Sequence, residues 1–124
     1  DCTAAQRRVV EVADGWMPMA ASGEMAAITR ARPLEDVDTL ADWVATVNKR
    51  RAEVGREPAD VAFVPFEAAL LASGDCAAFC AAVQSVLGAY ADAGVTWITI
   101  EPASRSFTDF RTDIDRLASQ LIHR

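Results

Sequence analysis

The chain has 124 residues, about half of them apolar, which is enough to bury one sizeable core within the size range of a single domain. Eighteen acids against twelve bases leave a formal charge of -6, opposite to the basic footprint that phosphate backbones attract, so nucleic acid is not an expected partner. No apolar run reaches the roughly 18–20 residues of a membrane span, and residues 1–5 lack the basic start and apolar stretch of a secretory signal; a cytoplasmic location with no membrane partner is therefore expected.

Thr3, followed by Gln6 three positions later, has the spacing of a capping box, in which each side chain satisfies a backbone N–H of the first helical turn. A short helix over residues 4–13 follows, with Val9, Val10 and Ala13 on its apolar face, and Asp14-Gly15 ends it. Residues 16–19 are too few for another helix and read as a brief buried strand between Gly15 and Pro18. Residues 20–33 are rich in small side chains and show no sustained period. They read as a long loop with a turn of helix around residues 24–28, and loops of that length are more often functional than ordinary connections.

From Leu34 the period is helical. Leu34, Val37, Leu40, Ala41, Val44 and Val47 recur at three and four, acids gather at the start, Asn48 to Arg51 bring positive charge near the end, and Gly55 is placed to stop the helix. Residues 61–68 (VAFVPFEA) form an apolar run of strand length, the pattern of a strand covered on both faces, with Pro65 expected at its end or at a bulge. After Ser73-Gly74-Asp75 a second long helix runs to about Ala93, with Phe79, Val83, Val86, Leu87 and Tyr90 on one side and Gly94 as its stop. Gly88 within it suggests close packing. Residues 95–100 (VTWITI) are the clearest strand, and a last helix from Ser106 or Thr108 places Phe107, Phe110, Ile114, Leu117 and Leu121 at intervals of three and four.

Alternating helices and buried strands predict an α/β fold of parallel (β/α) units. Three strands fit either the tail of a barrel or half of a doubly wound sheet. Cys2, Cys76 and Cys80 have no zinc-site spacing, and the alanines around the last two describe a packed helix with reduced thiols, so no metal is expected. His123, the single histidine, sits next to the terminus, which rules out a Ser-His-Asp set, and no phosphate-binding glycine motif is present.

The run Arg7-Arg8-Val9-Val10-Glu11-Val12-Ala13-Asp14-Gly15-Trp16-Met17-Pro18 resembles a segment of the bacterial-luciferase-like oxidoreductases, in which an Arg-bearing helix leads into Asp-Gly-Trp and then Pro. Ala52-Glu53-Val54-Gly55-Arg56-Glu57-Pro58 is similar to that family's helix-ending element, and Ala91-Asp92-Ala93-Gly94-Val95-Thr96 is similar to the approach to its final strand. The three occur in the family's order and cover nearly the whole chain.

The resemblance implies the last three strands of a TIM (β/α)8 barrel, with residues 1–124 as a C-terminal partial barrel, since such barrels seldom fall much below about 200 residues. It also implies a flavin- or deazaflavin-dependent oxidoreductase or monooxygenase acting on a small-molecule substrate, with FMN or a deazaflavin coenzyme bound weakly or not at all by this segment alone. The missing N-terminal barrel half, or a second copy, is the implied partner. The alternative is a non-catalytic module that completes a barrel with another chain. Chemistry in such barrels gathers at the C-terminal ends of strands. That rule places Trp16 against the cofactor ring and Met17, Glu67 and Glu101 around the substrate, with Phe66 beside them. Thr3 and the N–H groups of Ala4 and Ala5 are placed for a cofactor phosphate. No catalytic side chain is assigned, because the cofactor carries the chemistry.

Overall fold

In a computed structural model, residues 3–102, 104 and 106–122 are described, and Cys2 and His123 lie outside them. The elements are α1 (Ala4–Glu11), β1 (Gly15–Trp16), α2 (Gly23–Thr29), α3 (Val37–Glu53), β2 (Asp60–Phe63), α4 (Ala68–Ala72), α5 (Cys76–Asp92), β3 (Trp97–Ile98) and α6 (Phe107–Leu121). The three strands are parallel neighbours in chain order, as the alternation predicts. Gly15 and Trp16 register with Asp60 and Val61, and Ala62 and Phe63 with Trp97 and Ile98. The fold is therefore α/β, with helices between parallel strands, but β1 and β3 end the sheet on its two sides and it is not closed into a barrel. No helix among the described residues is long and apolar enough to cross a membrane.

The chain divides into two compact units. The first comprises Asp1–Val64 with Ala89–Ile98 and holds the sheet. In its central strand β2 the alternate residues Val61 and Phe63 are inaccessible while Asp60 is exposed and Ala62 half-buried, and Phe63 meets Tyr90 with ring centroids 5.7 Å apart. Helix α3 presents Leu40, Val44 and Val47 to the interior, each worth roughly 1.5–3 kcal/mol on burial. Val9 and Val10 of α1 join Val47 and Ala59 in one cluster, with Trp16 against it.

Two polar fixtures tie this unit together. The last carbonyls of α1 have no partner within the helix, and Arg51, itself buried, supplies one from α3. Its guanidinium donates to the Val9 carbonyl at 2.6 Å, the Ala13 carbonyl at 2.5 Å and the Glu57 carbonyl at 2.6 Å. Arg56 adds a bond to the Ala13 carbonyl and an ion pair with Asp14, both at 2.9 Å. The second fixture is Thr96, whose hydroxyl accepts from the Val61 N–H at 2.9 Å while its own N–H donates to the Val61 carbonyl at 2.9 Å. It joins the approach to β3 to the start of β2.

The second unit comprises Pro65–Gly88 with Thr99–Arg124. Leu71 of α4, Cys76, Phe79, Cys80 and Val83 of α5 and Leu117 of α6 form its core, with Ile100 and Leu121 packed on it. Asp75 caps α5 by accepting from the Ala78 N–H at 2.9 Å.

The capping box forms as its spacing requires: the Thr3 N–H donates to Gln6 Oε1 at 2.9 Å and the Gln6 N–H to Thr3 Oγ1 at 3.2 Å. Pro65 lies beyond the end of β2, where its missing donor costs the sheet nothing. Other boundaries shift. The first strand is Gly15–Trp16, not residues 16–19, and β3 is two residues long where six were expected, because only the stretch opposite β2 finds a ladder partner. Helix α2 is a complete helix capped by Ser22. Helix α3 starts at Val37, with Asp36 as its cap; Leu34 precedes it and is buried through a bridge to Ala21. The five-residue α4 follows β2 where strand had been expected to continue.

Four packing expectations fail. A Cβ at Gly88 would meet nothing within 4 Å, so that glycine does not mark a close approach. Leu87 is exposed. On α6 only Leu117 is buried, whereas Phe107 is 82 % exposed and Phe110 and Ile114 also face outward. Trp97 is 65 % exposed, so β3 is not covered on both faces.

Cys76 and Cys80 are buried free thiols on α5, as the packed-helix reading expects. Burial, and then the neighbouring Cys76, push the Cys80 thiol up to about 11. Because the folded value lies above the usual 9.0, the neutral thiol's contribution to stability is complete below pH 9 and is lost as pH rises through about 11. At pH 8, in a Cys2→Ser chain, Cys80 should react with iodoacetamide at least about 100-fold more slowly folded than in urea, read by the mass of its peptide, because thiolate is the reactive form. Equal rates would show that the pair is open to solvent.

Candidate functional site

Within the first unit a cleft of about 450 Å³ opens where the N-terminus of α1 meets the C-terminal end of β1. Thr3, Ala4, Ala5 and Arg8 form one wall, the segment from Trp16 to Met19 the next, Thr29, Arg30, Ala31 and Arg32 a third, and Trp43 of α3 completes it. Because α1 leads back into β1 through the short connection that Arg51 and Arg56 hold, the helix start and the strand end come to the same place. That is the end at which parallel α/β folds place their ligands.

Thr3, Trp16 and Met17, three of the five site residues expected from sequence, line this cleft. The capping box consumes the N–H groups of Thr3 and Gln6 and leaves those of Ala4 and Ala5, at the positive end of the helix dipole, on the cleft wall. Trp16 is half-buried. Its indole stacks on Trp43 with centroids 6.4 Å apart and planes 20° from parallel, so it both packs on the core cluster and fronts the cleft. Met17 is half-exposed, and Pro18 beside it is buried.

Glu67 and Glu101 are not part of the cleft lining. Glu67 is the half-buried residue preceding α4, and Glu101 is exposed beyond the end of β3; both belong to the second unit, as does half-buried Phe66.

Arg8, Arg30, Arg32 and Trp43 also line the cleft, and sequence reasoning did not select them. Arg32 holds its guanidinium 5.2 Å from the Trp43 ring centroid, within cation–π range. Arg30 ends α2 in the left-handed conformation, at φ 54° and ψ 32°, where a side chain costs of order 1 kcal/mol and glycine is the usual occupant. The one available signal was an Arg-x-Arg pair inside a loop too long for a plain connection. No carboxylate lines the cleft, and none of its three arginines is ion-paired among the described residues. In a chain of net charge -6 this is a local reversal of sign.

A second, more open cleft between α1 and α3 mixes Arg7, Lys49 and Arg50 with Glu11 and Glu53, so its charges oppose one another. Comparison with protein-family models, with curated proteins and with solved structures finds no match for the chain.

Proposed function

We propose that the chain is the C-terminal part of a (β/α)8-barrel oxidoreductase or monooxygenase of the luciferase-like class, dependent on a flavin or deazaflavin, whose remaining strands come from an N-terminal half or a second copy. The observation that carries this reading is the cleft at the C-terminal end of β1, which combines a helix N-terminus and arginines with a stacked indole pair. Those residues suit a flat aromatic ring bearing a phosphate. The Ala4 and Ala5 N–H groups, Thr3 and Arg8 would receive the phosphate, Trp16 would lie against the ring, and Met17 would keep water from its edge. A bound flavin or deazaflavin would supply hydride transfer or oxygen activation, and the protein would supply position.

Three strands build only part of a pocket wall, and a cofactor gains affinity by burial on several sides. The chain alone is therefore expected to bind FMN or a deazaflavin coenzyme with a Kd on the order of 0.1–1 mM, about 4–5.5 kcal/mol, read as quenching of indole fluorescence and lost in Trp16→Ala. Supplying the upstream strands should tighten binding at least about 100-fold. Stoichiometric micromolar binding by a monomer would overturn the partial-barrel reading. No Trp16-dependent quench at millimolar ligand would overturn the cofactor reading.

The open sheet edges favour one second reading, a non-catalytic module that associates through them. Concentration-dependent dimerisation without any flavin response would select it.

A further inference from the structure

We infer that the cleft reads charge as well as ring shape: Arg30 and Arg32 form an anion clamp beside the indole pair and restrict the site to flat aromatic ligands carrying at least one doubly charged anionic group, a phosphate monoester or a pair of carboxylates. This rests on the reading of the cleft as the ligand site, but it does not require the ligand to be a flavin.

The two arginines stand one residue apart at the exit of α2, and both line the cleft. Arg32 is over Trp43, which in turn stacks on Trp16, so a guanidinium and two indoles are gathered on one wall. A guanidinium against an aromatic face is weakly hydrated and keeps N–H donors at its edge for an oxyanion. Among the described residues neither arginine has an acidic partner and no acid lines the cleft.

Arg30 adds an independent sign. It is the single non-glycine residue with positive φ among the described residues, at a helix end where glycine would fit without strain. Its backbone N–H is already satisfied by the Ala26 and Ala27 carbonyls, so nothing in the fold asks for a long cationic side chain at that point. The segment is anchored at its base by reciprocal Ala21–Leu34 bonds of 3.0 and 2.9 Å and by the Gly23 N–H donating to Glu35 Oε1 at 3.0 Å. The backbone that carries the clamp is thus fixed at its base, and both arginine side chains are exposed and open to a ligand.

The test uses a probe series with one ring and varied charge: 1-naphthol, 1-naphthoate and 1-naphthyl phosphate, titrated into the full chain at pH 7.5, with FMN and riboflavin as a parallel pair. The phosphate should bind at least about tenfold more tightly than the neutral naphthol, as charge-assisted hydrogen bonds imply, and the carboxylate should fall between them. In R30Q/R32Q that preference should shrink at least about threefold, to what Arg8 and the start of α1 still supply, while naphthol binding is unchanged. Arg30→Gly should raise Tm, by relieving the left-handed strain, and yet weaken the phosphate. A salt series on the unaltered chain reads the same charge without any substitution: the affinities of the two anions, the phosphate most, should fall as screening increases, and that of naphthol should not. Equal affinities across the series, or an R30Q/R32Q loss shared by naphthol, would overturn the clamp. Charge-dependent naphthyl phosphate binding without any flavin response would keep the clamp and reject the flavin. FMN binding tighter than riboflavin by a margin that R30Q/R32Q leaves unchanged would do the reverse.

Discussion

Arg51→Met should cost about 3–5 kcal/mol, the range found when a buried charged group is removed and its partners are left unpaired. Methionine fills the volume but returns nothing to the carbonyls of Val9 and Glu57; the Ala13 carbonyl keeps Arg56. For a domain at the lower end of the usual range of about 5–15 kcal/mol, that loss is enough to populate the unfolded chain at room temperature. Arg51→Lys should recover less than half, because one ammonium cannot reach carbonyls that diverge from a planar fork. Urea unfolding followed by tryptophan emission measures both variants. A midpoint for Arg51→Met within 1 kcal/mol of the parent, as an order-of-magnitude criterion, would mean that the end of α1 does not depend on this residue.

The second large effect is expected at Gly94. Its φ is +85°, and a Cβ there would lie 2.8 Å from Val44 Cγ1, so an alanine is opposed both by its own backbone and by a buried side chain of α3. The left-handed conformation accounts for about 1–2 kcal/mol and overpacking for about 1–3 kcal/mol, giving a total of about 2–5 kcal/mol for Gly94→Ala. Gly55 is the internal control: its φ is +74° but its surroundings are open, so Gly55→Ala should show only the backbone part. A cycle with Val44→Ala separates the two costs, since removing Cγ1 should relieve the overlap and leave the strain. Equal losses for Gly55→Ala and Gly94→Ala would show that the contact with Val44 carries no cost.

Periodicity and punctuation made most of the fold legible. The capping box at Thr3, the three-and-four spacing of α3, the stops at Gly55 and Gly94 and the parallel order of three strands all follow from local chemistry that the structure realises. Strand length did not follow, because a residue such as Thr99 has strand character whether or not a neighbouring strand extends far enough to pair with it. Likewise the period of α6 shows which residues share a face but not whether that face is covered, and Phe107 and Ile114 are on the expected stripe and exposed. For the cleft, Thr3, Trp16 and Met17 could be selected because helix starts and strand ends have fixed chemical meanings. Arg30 and Arg32 could not, since their role depends on where a non-periodic segment returns in space, and Trp43 could not, since it stands half-buried on α3 outside the buried stripe that the period marks.

That segment leaves the body at Ala21 and re-enters at Leu34, where two reciprocal backbone bonds bring its ends together and a buried leucine fastens the seam. Everything between is a cassette that rests on one buried side chain, Ala26, so its other residues can be exchanged while the sheet and α3 keep their places. Ligand preference can then be reset within residues 22–33 on an unchanged scaffold. A graft of a short hairpin turn between Ala21 and Leu34 should fold, melting below the parent through loss of the Ala26 contact, while losing the arginine wall altogether.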